Sequence, residues 1–289
     1  MGLFSEQNGQ RGIVGDHAEN LFSELSGLMA KYSFTPNKRL AQHFIVNEKI
    51  IQRIIAEANL QKTDIVLEIG AGTGFLTREL LKHSSVIAVE KDAALAELLK
   101  AELPQEKLQV VCADFLEANL PKFNKIIAFP PYSISSEIIY KLFELEFDSA
   151  FLVFQKEFVG KLTAFPGFWE YNAITVLAQY YFELKVICHV GKNSFFPRPK
   201  SDSVLLKLET KKMHGKAKNE ESFQIFVKTI FRFGNKNLRN ALRLSHQFLE
   251  KSIKSKKNYL EKIEKIEEGE KKVNLLEVEE IVKVFNDLF

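Results

Sequence analysis

The sequence predicts an α/β fold, a mainly parallel sheet with helices on both faces, followed by a small α-helical domain. Three observations predict it. Between residues 65 and 128, short apolar runs alternate with helix-period segments, the pattern of parallel strands joined by crossovers. A glycine-rich turn directly follows the first of these runs. Beyond a polar stretch at 211–218, Lys-Lys-Met-His-Gly-Lys-Ala-Lys, the apolar spacing is helical to the end of the chain. The expected organisation is an N-terminal extension at 1–32, a sheet domain at 33–210 and a helical domain at 211–289.

Each element has a local reason. Leu21 to Met29 form a short amphipathic stretch, readable as a docking helix or as part of a disordered tail. Asn47 precedes a helix whose Ile50, Ile51, Ile54 and Ile55 share one face. Residues 65–69 read as a strand, followed by the glycine turn and a helix over 75–82. Residues 86–89 form the next strand, ending at Glu90, and 93–102 the next helix. Strands at 108–112 and 125–128 follow. The apolar runs at 151–154, 184–190 and 204–208 can complete the sheet, the last two as an antiparallel edge. Cys112, inside a strand, reads as a small core residue.

Composition narrows the class. Of 289 residues, 46% are hydrophobic and 27% charged, which suits a soluble domain with a sizeable core. No apolar run reaches the ~18 residues that span a bilayer, so no membrane association is expected. The N-terminus lacks the apolar core of a secretion signal. Cys112 and Cys188 are too few for a disulfide framework or a metal cluster. A reducing, cytoplasmic setting and a metal-free monomer are expected. Charge is uneven: residues 211–289 hold 18 Lys/Arg against 12 Asp/Glu, and the first 210 residues 22 against 25. A basic third on a mildly acidic body suits a polyanion partner or a solvated lysine-rich surface.

The strongest local signal is Val66-Leu67-Glu68-Ile69-Gly70-Ala71-Gly72-Thr73-Gly74. Three glycines at alternate positions let the backbone turn tightly and approach a ligand at a helix N-terminus. Enzymes using NAD or FAD share such turns, but their spacing is G-x-G-x-x-G. No G-K-[ST] follows, which argues against a phosphate-binding loop. Glu90 ends the second strand, where a carboxylate can accept hydrogen bonds from both ribose hydroxyls. Asp114 ends the third and can meet an adenine amine, with Phe115 lining the ring.

These residues belong to a longer series. Lys38-Arg39-Leu40-Ala41-Gln42-His43-Phe44-Ile45, Glu68 to Gly74, Gln155-Lys156-Glu157, Phe195-Phe196-Pro197-Arg198-Pro199-Lys200 and Lys236-Asn237-Leu238-Arg239-Asn240-Ala241-Leu242 follow in order. The series resembles the ribosomal RNA adenine dimethyltransferases of the KsgA/Erm type, and most of all their archaeal and eukaryotic branch. The resemblance implies a Rossmann-like methyltransferase sheet that binds S-adenosyl-L-methionine. It implies that Glu68, Gly70, Gly72 and Gly74 hold the cofactor, with Gln42, His43 and Phe44 near its methionine end. It also implies adenines of small-subunit ribosomal RNA, within the pre-small ribosomal subunit, as substrate and partner.

Amine methyltransferases carry (Asn/Asp/Ser)-x-Pro-(Tyr/Phe) after the fourth strand, and the matching positions here are Phe129-Pro130-Pro131-Tyr132. An adenine amine is a poor nucleophile because its lone pair is delocalised into the ring. A side-chain oxygen and a main-chain carbonyl accept its hydrogens and aim the lone pair, so positioning supplies most of the rate. Tyr132 can stack on the extruded base, with Phe195 over its other face. Phe129 cannot accept a hydrogen. The Pro130 carbonyl remains, and Ser133 or Ser135 is a candidate second acceptor. Three outcomes stay open: a slow enzyme, an alternative acceptor, or a non-catalytic ribosome-assembly factor that binds RNA. An NAD-dependent dehydrogenase explains the glycines but not the segments at 129–132 and 195–199.

Lys228, Arg232, Lys236, Arg239 and Arg243 recur at helical spacing, and residues 222–249 contain no Asp or Glu. Such a stripe suits phosphate contacts, and Arg198 and Lys200 can add to it. The segment from Lys251 to Lys272 mixes both signs and reads as a solvated helix.

Overall fold

A computed structural model describes residues 16–211, 216–249 and 256–289. The start of the expected N-terminal extension, four residues of the expected linker and residues 250–255 lie outside the described residues. The first half contains α1 (Asp16–Lys31), β1 (Phe44–Ile45), α2 (Glu48–Ala58), β2 (Ile65–Ile69), α3 (Phe75–Leu81), β3 (Ser85–Glu90), α4 (Ala93–Glu102), β4 (Leu108–Cys112) and β5 (Lys125–Ala128). Then come α5 (Ser135–Leu142), β6 (Ser149–Gln155), α6 (Lys156–Leu162), α7 (Ala173–Tyr181), β7 (Phe182–Val190), β8 (Phe195–Phe196) and β9 (Ser203–Thr210). The described end is helical: α8 (Glu220–Ile230), α9 (Leu238–Ser245), α10 (Lys256–Glu264) and α11 (Val278–Leu288).

Side chains alternate across a strand, and here both faces are apolar. Val66, Val86, Ala88 and Ile127 enter one core layer, with α1, α2, α3 and α4. Leu67, Ile69, Ile87, Val89 and Ile126 enter the other, with α5, α6 and α7. The seven strands run β4-β3-β2-β5-β6-β9-β7. The first five are parallel neighbours, and β9 is antiparallel to both β6 and β7. The expected antiparallel pair is present, with β7 at the edge and β9 inside it. Strand order reverses between β2 and β5. A crevice opens at such a point, beyond the carboxyl ends of the strands.

α1 docks. Leu21 and Leu25, one turn apart, are buried in the first layer, and Arg78 of α3 is ion-paired with Glu24. Cys112 departs from expectation. It is exposed, because β4 is an edge strand and Cys112 is its last residue.

The C-terminal helices build a core of their own from Phe223, Phe226, Leu242, Ile263, Ile281 and Phe285. They share it with Val176, Leu177 and Tyr180 of α7. The same helix sends Ile174 and Ala178 into the sheet layer. One two-faced helix therefore joins the two cores, so the contact does not depend on the chain at 211–218.

Candidate active site

Four strand ends supply the floor of a pocket. Gly70 follows β2, Glu90 ends β3, Asp114 follows β4 and Phe129 follows β5. All four line one cavity, together with Gln42, His43, Phe44, Gly72, Phe115, Pro130, Tyr132 and Phe195.

The glycine turn brings backbone rather than side chain to the cavity. Gly72 stands at φ 57°, and a Cβ there would lie 3.2 Å from the Phe44 ring. Both the left-handed conformation and the close ring call for glycine. Gly74 opens α3 at φ 81°, and its Cβ would lie 2.7 Å from Leu99 Cδ2. Gly74 does not line the cavity. It packs α3 against α4 and acts on the turn from behind.

Glu90 is 6% exposed. Its Oε2 accepts from Gly72 N at 2.8 Å and its Oε1 from Asp92 N at 2.9 Å. Both oxygens are thereby fixed, and each keeps a further lone pair. Burial raises its pKa, and the two amide donors work against that rise. Asp92 is a hub that sequence reading missed. Its Oδ1 caps α4 by accepting from Ala94 N at 3.0 Å, and its Oδ2 accepts from Gln42 Nε2 at 3.0 Å. Gln42 Oε1 accepts from Asn37 N at 2.8 Å, so this amide braces the segment that roofs the cavity. An Asp just before a helical pattern is an N-cap signal, and that signal was legible.

Asp114 faces Lys91, whose Nζ lies 2.7 Å from its Oδ2. The Lys91 ammonium and the Leu116 N–H hold the Asp114 carboxyl below its ordinary range. Phe115 is buried beside it.

Glu68 does not line the cavity either. It is 2% exposed, beneath the turn, and its Oε2 has no hydrogen-bond partner. Burial pushes its carboxyl up to about 8; the Thr77 hydroxyl opposes this and the Glu90 charge adds to it. A linkage prediction follows. Unfolded, the group ionises near 4.5; folded, it keeps its proton to about 8. The native state binds the extra proton between these values. Stability from this site is full below pH 4.5 and declines as pH rises through the window, by about 1.4 kcal/mol per pH unit. Urea unfolding of wild type and Glu68→Gln across the window measures it, and equal pH slopes would refute the assignment.

The roof joins residues about 150 apart in sequence. Phe44 pairs with Phe196 and Ile45 with Phe195 in a two-strand ladder. His43 Nδ1 donates to the Pro197 carbonyl at 2.6 Å, so His43 positions this segment. Tyr132 is held by a 2.7 Å hydrogen bond between its hydroxyl and Ser203 Oγ. His43 stacks near Tyr132, with centroids 5.9 Å apart and planes 26° apart.

Two expectations change in detail. Tyr132 and Phe195 meet edge to face, with centroids 6.4 Å apart at 78°. A base lying flat on Tyr132 therefore meets Phe195 edge-on, and the pair does not form a parallel sandwich. Phe195 also packs edge-on against Phe129, at 5.9 Å. Ser135 is buried, donates to the Tyr132 carbonyl at 3.0 Å and does not line the cavity, so it is not placed to meet an amine there. Ser133 lines the cavity and stays available.

The basic stripe is not a single helical face. Lys228 lies in α8, Arg232 in a 3-10 turn, Lys236 beyond it, and Arg239 and Arg243 in α9. The acidic partners missing locally arrive from the segment read as a solvated helix. Arg243 pairs with Glu264 at 2.5 Å, and Arg239 with Glu264 and Glu270. Lys228 Nζ sits 4.0 Å from the Tyr140 ring centroid. Arg198, Lys200, Arg232 and Lys236 remain exposed.

Comparison with known proteins fits this geometry. The family described as ribosomal RNA adenine dimethylase matches residues 33–283. A probable ribosomal RNA small subunit methyltransferase A of Pyrococcus abyssi is 33% identical over 258 residues, covering 89% of this chain and 93% of that protein. Its counterpart in Methanopyrus kandleri is 38% identical over 225 residues, covering 76% and 81%. Among solved structures, a dimethyladenosine transferase from Plasmodium falciparum superposes with TM-score 0.73 at 29% identity, over 84% of this chain and 96% of that one. The 23S rRNA methyltransferase ErmE superposes with TM-score 0.63 at 28% identity, over 85% and 99%. With strand-end carboxylates, a glycine turn and a Pro-Pro-Tyr loop converging on one cavity, the chain belongs to the ribosomal RNA adenine dimethylase family.

Proposed function

We propose that this chain transfers methyl groups from S-adenosyl-L-methionine to the exocyclic amine of adenines in small-subunit ribosomal RNA, giving dimethyladenosine during ribosome assembly. The observation that carries this reading is the single cavity in which Glu90, Asp114 and the glycine turn adjoin Pro130, Tyr132 and Phe195. The cavity suits the cofactor chemically. Glu90 offers two fixed acceptors for a ribose diol, Asp114 an ionised acceptor for an adenine amine, and Phe115, Ile69 and Leu95 apolar surface for the ring. S-adenosyl-L-methionine supplies an electrophilic sulfonium methyl when bound.

The protein supplies position. Tyr132, pinned by Ser203, offers its ring face to an unstacked adenine. The Pro130 carbonyl accepts one amine hydrogen, and Ser133 is the candidate for the second. Exposed Arg198, Lys200, Arg232 and Lys236 are the best placed to meet phosphates, with Lys228 at their border. Arg239 and Arg243 contribute after exchanging Glu264 and Glu270 for phosphate. The organisation proposed is a methyltransferase domain at 33–210 and a helical RNA-facing domain at 211–289, acting as a cytoplasmic monomer. Among the described residues no helix is long and apolar enough to cross a membrane.

A second reading is favoured by one observation. Phe129 packs on Phe195 where an acceptor is expected, which suits a factor that binds RNA without turnover. The two readings separate in one experiment. Purified protein is incubated with labelled cofactor and immature small subunits, and the RNA is analysed by mass spectrometry. Dimethyladenosine is the expected product. RNA binding with no methyl transfer would leave the assembly-factor reading instead.

A further inference from the structure

The loop between α6 and α7 carries the three most exposed large apolar side chains among the described residues: Phe165 at 71%, Phe168 at 60% and Trp169 at 85%. Rings gathered in water mark a contact surface. Here the backbone holds them out. Gly167, at φ 91°, donates its N–H to the Asn274 carbonyl at 2.8 Å. Phe168 N donates to Phe165 O at 3.2 Å, and Tyr171 N to Phe168 O at 3.1 Å. The buried Tyr171 hydroxyl donates to Leu276 O at 2.8 Å. Fastened to the 274–276 segment in this way, the loop presents Trp169 from a braced turn.

Phe168 and Trp169 line a cleft of 610 Å³. Residues 231–236 and Asn274 line the same cleft. This cleft shares no lining residue with the cavity at Glu90. No carboxylate lines it, whereas Arg232 and Lys236 do. Lys236 makes no ion pair among the described residues, unlike Arg239 and Arg243. The Arg232 guanidinium lies 4.8 Å from the Phe248 ring centroid, a contact that leaves its N–H donors available. Asn274 Oδ1 is buried with no hydrogen-bond partner.

Ring faces, two cations and no anion are the chemistry of a single-stranded nucleic-acid site. The geometry points to a second RNA site, separate from the adenine cavity, that grips an unpaired nucleotide. Its base stacks on Trp169 and its phosphates face Arg232 and Lys236. This assignment rests on the RNA-methylating reading above and extends it to how the substrate is held away from the reacting base. A protein surface is the other occupant that exposed rings can take, but a cationic lining without carboxylates favours a polyanion.

Trp169 is the only tryptophan in the chain, so its emission reports this cleft directly. The full-length protein is titrated with a short oligouridylate, which holds no adenine for the other cavity and folds into no stem. Saturable quenching that weakens with added salt is expected. Trp169→Ala and Lys236→Glu are each expected to raise the dissociation constant for this RNA about tenfold, measured by filter binding. Trp169 is so exposed that its removal leaves the fold intact, which circular dichroism checks. Absence of quenching, or unchanged affinity in Trp169→Ala, overturns the proposal. So does self-association in sedimentation that Trp169→Ala abolishes, since the loop is then a protein contact. Methyl transfer by the wild type is measured in parallel. Quenching without methyl transfer refutes the activity and leaves the cleft; methyl transfer without quenching refutes the cleft alone.

Discussion

Glu90→Ala is expected to weaken S-adenosyl-L-methionine binding by about 10²- to 10³-fold, because each charge-assisted hydrogen bond to a ribose hydroxyl contributes about 1.5–3 kcal/mol. The structure adds a second loss. Glu90 also accepts from Gly72 N and Asp92 N, so its removal strands two amide donors that set the turn and the start of α4. Asp92 in turn holds Gln42, so the roof loosens with the floor. Glu90→Gln separates the two contributions. Its carbonyl oxygen still accepts one of these N–H groups, while its amide nitrogen opposes the other. A smaller fall in melting temperature with a comparable fall in affinity is expected, read by calorimetry and thermal unfolding. Wild-type affinity in both variants would remove Glu90 from the site.

Phe129→Asn is expected to raise the single-turnover rate of methyl transfer by about 10²-fold, the usual effect of one preorganised polar contact at a reacting group. An amide oxygen at the end of β5 stands where an amine hydrogen needs an acceptor. The change also removes the edge-to-face contact with Phe195, at an expected cost of about 0.5–1.5 kcal/mol in stability. Measuring the rate at saturating cofactor and RNA keeps that cost out of the comparison. A variant no faster than wild type, with RNA binding unchanged, would mean that the Pro130 carbonyl and Ser133 already suffice. An inactive wild type that gains turnover with Asn would identify the natural chain as a binding factor.

Much of the methyltransferase half was legible because its signals are local. Strands β2 to β5 alternate with helices over short distances, and each apolar run is bounded by turn residues. The glycine turn, Glu90 and Asp114 fall at strand ends, where the α/β topology puts ligands. Packing was less legible. Gly74 and Glu68 belong to the same motif as Gly70 and Gly72, yet they face α4 and the buried core. Motif membership does not say which side of a turn a residue occupies. The charge stripe shows the same limit. Its acid-free window predicted free cations, but Glu264 and Glu270 return from a later helix and turn to pair with Arg239 and Arg243. The rings at 165–169 drew no attention in sequence, since exposed and buried aromatics have the same composition.

The sequence by itself determined the alternating architecture, the strand-end carboxylates and the departure at Phe129, because each depends on neighbours within a few residues. Only the tertiary structure decided that β1 and β8 close a roof over the cavity, that Phe195 meets Tyr132 edge-on, and that a bare tryptophan and two cations line the same second cleft. Those facts depend on contacts between segments 60 to 150 residues apart. Such contacts are set by which buried faces fit together, and a linear pattern does not encode that fit.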